Sequence, residues 1–355
     1  MSTANPSLYT LSSTFPESDW HTLSKFWHPV ATSGEADDGP YSTVLLDTRV
    51  VVYRDSAGRA VSALDICPHR GAQLSRGEMI EGEIQCPYHG SRFDGTGKCT
   101  AIPAQDESLR IPDRMRLRVF ETQERYGIVW ARIANEELNP MPDWSVIEKD
   151  NISSAPVPPE VWDVTAARHA ENFNDVSHLA FVHKGTFGAV PTKAPDYELE
   201  QTPGALRHRY FDMGNSQLFE RHKVGADAQQ SELIEDVKYD YRFAFPFASA
   251  LHIIAPDGRT SYIFDVIQPI SIKKSRIFKI VARNFDLDGP FEGAVKFEQA
   301  VNEEDRTTIE PALPVHVPLD PRDECHIKGD IWSVAYRRAL SKYGMGVDVD
   351  RVIPD

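Results

Sequence analysis

Residues 67–71 read Cys-Pro-His-Arg-Gly and residues 86–90 read Cys-Pro-Tyr-His-Gly. The first stretch offers Cys67 and His69 as ligand candidates, the second Cys86 and His89. Gly71 and Gly90 follow the two histidines closely; a glycine lets the backbone pass near a bound group so that N–H groups point at its sulfurs. The surroundings are β-rich: TVLL (43–46), RVVVYR (49–54), AVSALDI (60–66), EIQC (83–86) and GIVWARI (127–133), with DSAG (55–58) as a hairpin turn. The two loops are therefore expected on a small all-β domain, residues 41–140. A lead-in, residues 1–40, has a helical segment around Asp19–Trp27 and is expected to pack on the second domain, residues 141–355.

Two cysteine–histidine pairs suit zinc as well as iron. A zinc finger, however, usually places two cysteines first and two histidines after. Here the order is Cys-His and then Cys-His, which suits a [2Fe–2S] cluster with two histidines replacing two cysteines on one iron. The pattern C-x-H, sixteen residues, C-x-x-H resembles the Rieske motif. Respiratory members of that family carry one more cysteine in each loop, joined as a disulfide; Ala72 and Tyr88 stand at those positions here. Ser91 stands where oxygenases of the family often have tryptophan, and its hydroxyl is expected to hydrogen-bond a cluster sulfide and raise the potential.

A Rieske cluster alone only moves electrons. Residues 171–183, Glu-Asn-Phe-Asn-Asp-Val-Ser-His-Leu-Ala-Phe-Val-His, add a second candidate site. Two histidines and one carboxylate with open positions make the facial site of non-haem Fe(II) oxygenases, and His178 and His183 are the histidine candidates. Five residues on an ideal helix turn through about 500°, so the two rings point roughly 140° apart unless the helix bends, bulges or ends between them. Gly185 fits such an ending. Asn172, Asp175 and His178 follow at i+3 steps, which places Asp175 to hydrogen-bond the His178 imidazole. The string N-x-x-D-x-x-H-x-x-x-x-H resembles the mononuclear iron motif of the Rieske oxygenases.

Downstream, NEELNPMPDW (135–144), followed by SSAPVPPE (153–160), is rich in proline and polar residues and marks a domain boundary near 140. Residues 141–355 then carry strands at 233–247, 261–267 and 276–285 and helices at 167–180, 291–309 and 329–343. Strands and helices without regular alternation predict an α+β domain, an antiparallel sheet with helices, and the resemblance to the Rieske oxygenases implies a helix-grip-like arrangement. In the last helix Trp332, Tyr336 and Leu340 form a core-facing stripe. In the helix at 291–309, Ala294, Phe297, Val301 and Thr308 share a face, and Asp305 lies some 40° from Val301. A carboxylate there is costly unless paired or metal-bound, so Asp305 is the candidate third ligand and Glu304 the reserve. Phe243, Phe245 and Phe247 fit core better than a cavity lining, and Arg207 and Arg209 fit solvated strand charges better than a substrate clamp.

Hydrophobic residues at 41% and charged residues at 26% describe a folded globular chain rather than a disordered one. The net charge, 38 − 53 = −15, disfavours nucleic acid. The leading residues lack a basic, apolar leader and no run is long enough for a bilayer, so the expected location is the cytoplasm. Four cysteines, Cys67, Cys86, Cys99 and Cys325, argue for metal use rather than a disulfide framework.

The family resemblance implies a catalytic oxygenase component that needs no second kind of subunit, similar to the phthalate dioxygenase, vanillate and dicamba O-demethylase and caffeine N-demethylase group. It implies one [2Fe–2S] cluster, one mononuclear Fe(II), O2, an NAD(P)H-dependent reductase and a homotrimer or dimer of trimers. It also implies an electron path from His89 of the partner subunit through Asp175 to His178, with Asn172 in a supporting place. The expected reaction is monooxygenation, by demethylation or hydroxylation, of an aromatic or heterocyclic small molecule. Ring cis-dihydroxylation is the alternative within the class, and a non-catalytic Rieske electron carrier or a zinc-stabilised binding protein the alternatives outside it.

Overall fold

In a computed structural model of the protein, residues 13–187, 191–211, 213 and 236–346 are described. The chain divides into two compact units, Met1–Pro140 and Met141–Asp355. No described helix is long and apolar enough to cross a membrane.

The first unit opens with α1 (Glu17–Leu23), β1 (His28–Thr32) and α2 (Ser33–Asp37). A capping box starts α2, with Thr32 and Glu35 satisfying each other's backbone N–H. Then come β2 (Tyr41–Leu45), β3 (Thr48–Arg54), β4 (Ala60–Leu64), β5 (Glu78–Ile80), β6 (Glu83–Gln85), β7 (Arg92–Phe93), β8 (Cys99–Ala101), β9 (Glu121–Arg125) and β10 (Ile128–Arg132). They form three small sheets, ordered β1-β10-β9, β2-β3-β4 and β5-β6-β7-β8. From the lead-in, β1 joins the first unit, pairing His28 with Ala131 and Thr32 with Ile128. Trp20 Nε1 likewise donates to the Leu46 carbonyl at 2.8 Å. The core of this unit includes Val51, Tyr53, Leu74, Ile84 and Phe93, and with them Cys67, Cys86 and Cys99.

The second unit is one seven-stranded antiparallel sheet, ordered β11-β17-β16-β15-β14-β13-β12. Its strands are β11 (Ser153–Trp162), β12 (Glu198–Thr202), β13 (Ala205–Tyr210), β14 (Lys238–Ala244), β15 (Ala248–Ile254), β16 (Thr260–Ser271) and β17 (Lys274–Arg283). Residues 233–235 of the expected strand at 233–247 lie outside the described residues. SSAPVPPE, which reads as a linker, is most of β11. As the end strand it pairs on one side only, with β17, and its register shifts between Val157 and Glu160. An edge tolerates proline, because the missing N–H need not face a neighbour.

The helices are α3 (Ala166–Asn174), α4 (Leu179–Val182), α5 (Glu292–Ile309) and α6 (Ile331–Lys342). Trp332, Tyr336 and Leu340 of α6 are buried, and Phe243 packs edge-on to Trp332 and Tyr336 at 5.2 Å. Phe245 and Phe247 are buried as well. Arg207 pairs with Asp240 through two 2.7 Å bonds and Arg209 reaches Glu198 and Glu200, so both arginines serve the sheet itself.

A buried polar rank fastens α3 and α5 to this sheet. Ser249, Asp265 and Lys279 stand in register on β15, β16 and β17. From α3, Asn174 Nδ2 donates to Ser249 Oγ at 2.9 Å, and His169 Nε2 lies 3.1 Å from Asp265 Oδ1. From α5, Asn302 accepts from Lys279 Nζ at 2.5 Å and Glu298 at 3.5 Å. The buried face of α5 therefore carries Glu298 and Asn302 beside Ala294, Val301 and Asp305, while Thr308, expected on that face, is exposed.

Candidate metal centres

In the first unit the two loops repeat one hydrogen-bond pattern. Cys67 N–H donates to the Ala72 carbonyl (2.8 Å) and Gly71 N–H to the Cys67 carbonyl (2.9 Å). Cys86 N–H donates to the Ser91 carbonyl (2.8 Å) and Gly90 N–H to the Cys86 carbonyl (3.0 Å). Gly71 at φ 74° and Gly90 at φ 71° supply the left-handed conformation that closes each loop. Asp65 braces the first loop by accepting from Ser75 N–H at 2.7 Å and Ser75 Oγ at 2.6 Å.

This geometry sorts the ligands by depth. Cys67 and Cys86 are buried at 2% exposure, whereas His69 is exposed and His89 half-buried. The imidazole rings lie 4.7 Å apart, and the exposed Tyr88 ring stacks on His89 at 3.9 Å. Burial pushes the Cys67 thiol up to about 11; the N–H groups of His69 and Arg70 donate to the sulfur against that trend, while neighbouring Cys86 adds to it. Cations reverse such a preference by charge alone. The four candidate ligands form no group converging within 4.8 Å, as one tetrahedral ion would require. Paired inner thiols and paired outer imidazoles fit a cluster of two irons instead. Ser91, after Gly90, is 1% exposed.

In the second unit His178, His183 and Asp305 do converge. His178 Nε2 and His183 Nε2 are 3.2 Å apart, and Asp305 Oδ1 lies 3.4 Å from the first and 3.2 Å from the second. Ligands at roughly 2.1 Å from one ion and at right angles to each other lie about 3.0 Å apart, so this near-equilateral triangle fits one face of an octahedron. Burial works against ionising Asp305, yet the hydrogen bonds and charge of His178 and His183 hold its carboxyl well below the usual range. Burial by itself would lower the His178 pKa, but Asp175 and Asp305 outweigh it and carry the imidazole up to about 9. The arrangement concentrates negative potential where a cation would sit.

The helix break differs from expectation. The chain leaves helical geometry before His178, at Asp175 (φ −95°, ψ 138°), and α4 is one separate turn between the two histidines. Asp175 causes the break: Oδ1 accepts from Ser177 N–H at 2.8 Å and Oδ2 from His178 N–H at 3.2 Å, a local alternative to helix. The contact of Asp175 Oδ2 with His178 Nδ1, at 3.0 Å, therefore arises from a turn rather than a shared helix face. Burial opposes the charge on Asp175, but the bond to His178 keeps its carboxyl below the ordinary value. Asn172 Nδ2 donates to Asp305 Oδ1 at 3.2 Å.

Glu304, the reserve ligand, turns to the other side of His183. Its Oε2 lies 2.8 Å from His183 Nδ1 and accepts from Thr186 Oγ1 at 2.8 Å. The spacing in sequence gave no hint of this contact; only the consecutive Glu304-Asp305 pair signalled two carboxylates on neighbouring positions of one helix. Aromatic rings close the surroundings, with Phe187 at 4.7 Å from His183 and stacked at 5.7 Å on Phe297. Of the remaining cysteines, Cys99 is core and Cys325 is exposed.

Residues 26–121 match the Rieske [2Fe–2S] domain family, and residues 162–344 match the vanillate O-demethylase oxygenase C-terminal domain family. Methylxanthine N1-demethylase NdmA of Pseudomonas putida is 30% identical over 327 residues, 90% of this chain and 88% of its own. Methylxanthine N3-demethylase NdmB of the same organism is 29% identical over 329 residues, 89% and 88%. A solved structure of NdmA from Pseudomonas putida CBB5 with caffeine superposes with a TM-score of 0.79 at 30% identity, covering 92% of each chain.

Proposed function

The chain belongs to the Rieske non-haem iron oxygenases as an oxygenase component, and on that premise we propose that it monooxygenates a small aromatic or heterocyclic molecule, by oxidative demethylation or hydroxylation. Its cofactors are one Rieske [2Fe–2S] cluster and one mononuclear iron. When bound, the cluster supplies electrons singly and the iron supplies open positions for O2.

We assign the cluster to Cys67, His69, Cys86 and His89 and the iron to His178, His183 and Asp305. The observation that carries the assignment is the triangle of Nε2, Nε2 and Oδ1 atoms, 3.2–3.4 Å on a side. Both imidazoles have a carboxylate at Nδ1, which fixes the proton there and turns the Nε2 lone pairs inward. Asn172 holds the Asp305 oxygen from the other side. The Asp175 side chain stays 29% exposed beside its bond to His178. That supports a bridge to His89 of the partner subunit in a homotrimer or dimer of trimers. Electrons come from a separate NAD(P)H-dependent reductase, and the enzyme works in the cytoplasm.

The stacked Phe187 and Phe297 beside His183 support a flat apolar substrate. The two methylxanthine N-demethylases, similar over nearly the whole chain, support removal of a methyl group. In that reaction O2, two electrons and two protons convert R–CH3 to R–CH2OH and water; R–CH2OH on nitrogen or oxygen then releases formaldehyde. The test supplies reductase, NADH and O2 to the purified protein with a panel of N-methyl heterocycles, methoxy-aromatics and aromatic acids. Formaldehyde matching substrate loss is the expected result. Diol products without formaldehyde would replace the reading with ring dihydroxylation.

A further inference from the structure

Glu304 and Gly185 form one device with an unassigned job. Three contacts define it. Glu304 Oε2 meets His183 Nδ1 at 2.8 Å, and Thr186 Oγ1 donates to the same oxygen at 2.8 Å. On the other oxygen, a side chain at Gly185 would begin 2.6 Å from Glu304 Oε1, closer than real Cβ atoms stand to anything. A side chain at Gly185 would therefore have to push the Glu304 carboxylate aside.

Helix α5 thus presents two consecutive carboxylates to one imidazole. Asp305 Oδ1 faces His183 Nε2 at 3.2 Å, while Glu304 Oε2 faces Nδ1. A neutral imidazole carries one proton, and two carboxylates compete for it. If Asp305 held it, the nitrogen facing the iron would be a donor and useless as a ligand. The shorter contact, reinforced by Thr186 and enclosed by the absence of a side chain at Gly185, draws the proton to Nδ1.

We propose that Glu304 is the positioning residue of His183, that it selects the tautomer with Nε2 free for iron, and that Gly185 exists to admit it. This rests on reading His178, His183 and Asp305 as the iron ligands. His178 is served in the same way by Asp175, but the two partners differ in kind: Asp175 comes from the local turn, three residues before its histidine, and Glu304 from 121 positions away. Packing of α5 is thereby coupled to the ligand it does not itself supply.

The test measures Fe(II) affinity in the full chain with its cluster in place and the mononuclear iron removed by chelation, with Co(II) absorption as a reporter of coordination. Glu304→Ala should weaken Fe(II) binding by about 10–100-fold. Glu304→Gln, whose amide oxygen still accepts from Nδ1–H, should recover most of that loss. Gly185→Ala should weaken binding to the level of Glu304→Ala, because the new Cβ displaces only the end of a flexible side chain. The double variant Gly185→Ala/Glu304→Ala should be no weaker than either single one. Fe(II) affinity within twofold of wild type in Glu304→Ala would overturn the proposal, as would additive losses in the double variant. Should Glu304→Ala lose its cluster as a sign of misfolding, Thr186→Val gives the same reading with a smaller expected loss, about threefold or more. Failure of wild type to bind any iron beyond its cluster would instead sink the ligand assignment itself.

Discussion

The cluster loops and the iron site are built on opposite plans. All four proposed cluster ligands fall between Cys67 and His89, on two loops closed by the same pair of backbone hydrogen bonds and the same left-handed glycine. The proposed iron ligands come from an interrupted helix and from α5, and each histidine meets a carboxylate side chain at Nδ1. One site is preorganised by backbone, the other by side chains. A backbone-built site should tolerate changes around its ligands so long as the loops close, whereas a side-chain-built site should lose function to substitutions that leave its metal in place.

Four tests sharpen or break this contrast, taken from the largest expected effect down. His183→Ala or Asp305→Ala should remove the mononuclear iron and abolish turnover while the visible cluster spectrum stays intact; simultaneous loss of the cluster would mean the two sites are not independent. Asp175→Asn should retain both metals yet lower turnover by about 100-fold or more, because an amide cannot provide the charged bridge at His178 Nδ1. Near-normal turnover in that variant would remove Asp175 from the electron path.

Gly71→Ala tests the backbone plan. Its φ of 74° is unfavourable for alanine and nothing lies within 4 Å of the added Cβ, so strain alone should cost about 1 kcal/mol of stability in the first unit. Thermal unfolding monitored at the cluster absorbance measures it, and an unchanged midpoint would argue that the loop conformation is not needed. Ser91→Ala should lower the cluster potential by about 40 mV, the equivalent of one hydrogen bond of about 1 kcal/mol. An unchanged midpoint in redox titration would remove the hydroxyl from the cluster's surroundings.

The last prediction serves as a control on the scaffold. Burial opposes the charge on Asp240, but Arg207 and Arg242 hold its carboxyl below the ordinary value. A depressed carboxyl pKa stabilises the fold above about pH 3.9, and the contribution fades as pH falls from there through the lowered value. Asp240→Asn should therefore reduce stability at neutral pH, by about 1 kcal/mol, with the difference fading as pH falls through the lowered carboxyl pKa. Iron and sulfide contents should not move. A loss of iron in this variant would show that the outer face of the sheet shapes the site.

What the sequence disclosed follows the same contrast. The cluster motif is local, so its four residues and the hairpin at 55–58 are legible from spacing alone. Asp305 was legible because a carboxylate on an apolar helix face is costly, and α5 does bury it. Other features depended on pairings far apart in the chain. SSAPVPPE reads as a linker until β17 pairs with it, since edge strands accept proline. Glu298 and Asn302 are polar residues on the buried face of α5, and only Lys279, distant in sequence, reaches them from the sheet. The break before His178 was hidden because Asn172, Asp175 and His178 keep helical spacing, while the Asp175 side chain captures two backbone N–H groups and ends the helix. Gly185 reads as a helix terminator, and its proximity to Glu304, whose Oε1 a side chain there would meet at 2.6 Å, was not legible because Glu304 is distant in sequence.

The most direct test of the account is the metal and sulfide content of the purified chain. The two-site reading predicts acid-labile sulfide matching one [2Fe–2S] cluster and one iron more than the cluster's two, with that extra iron alone missing in His183→Ala. Iron and sulfide in equal amounts in the wild-type protein would contradict it and leave an electron carrier; zinc without labile sulfide would contradict both centres at once.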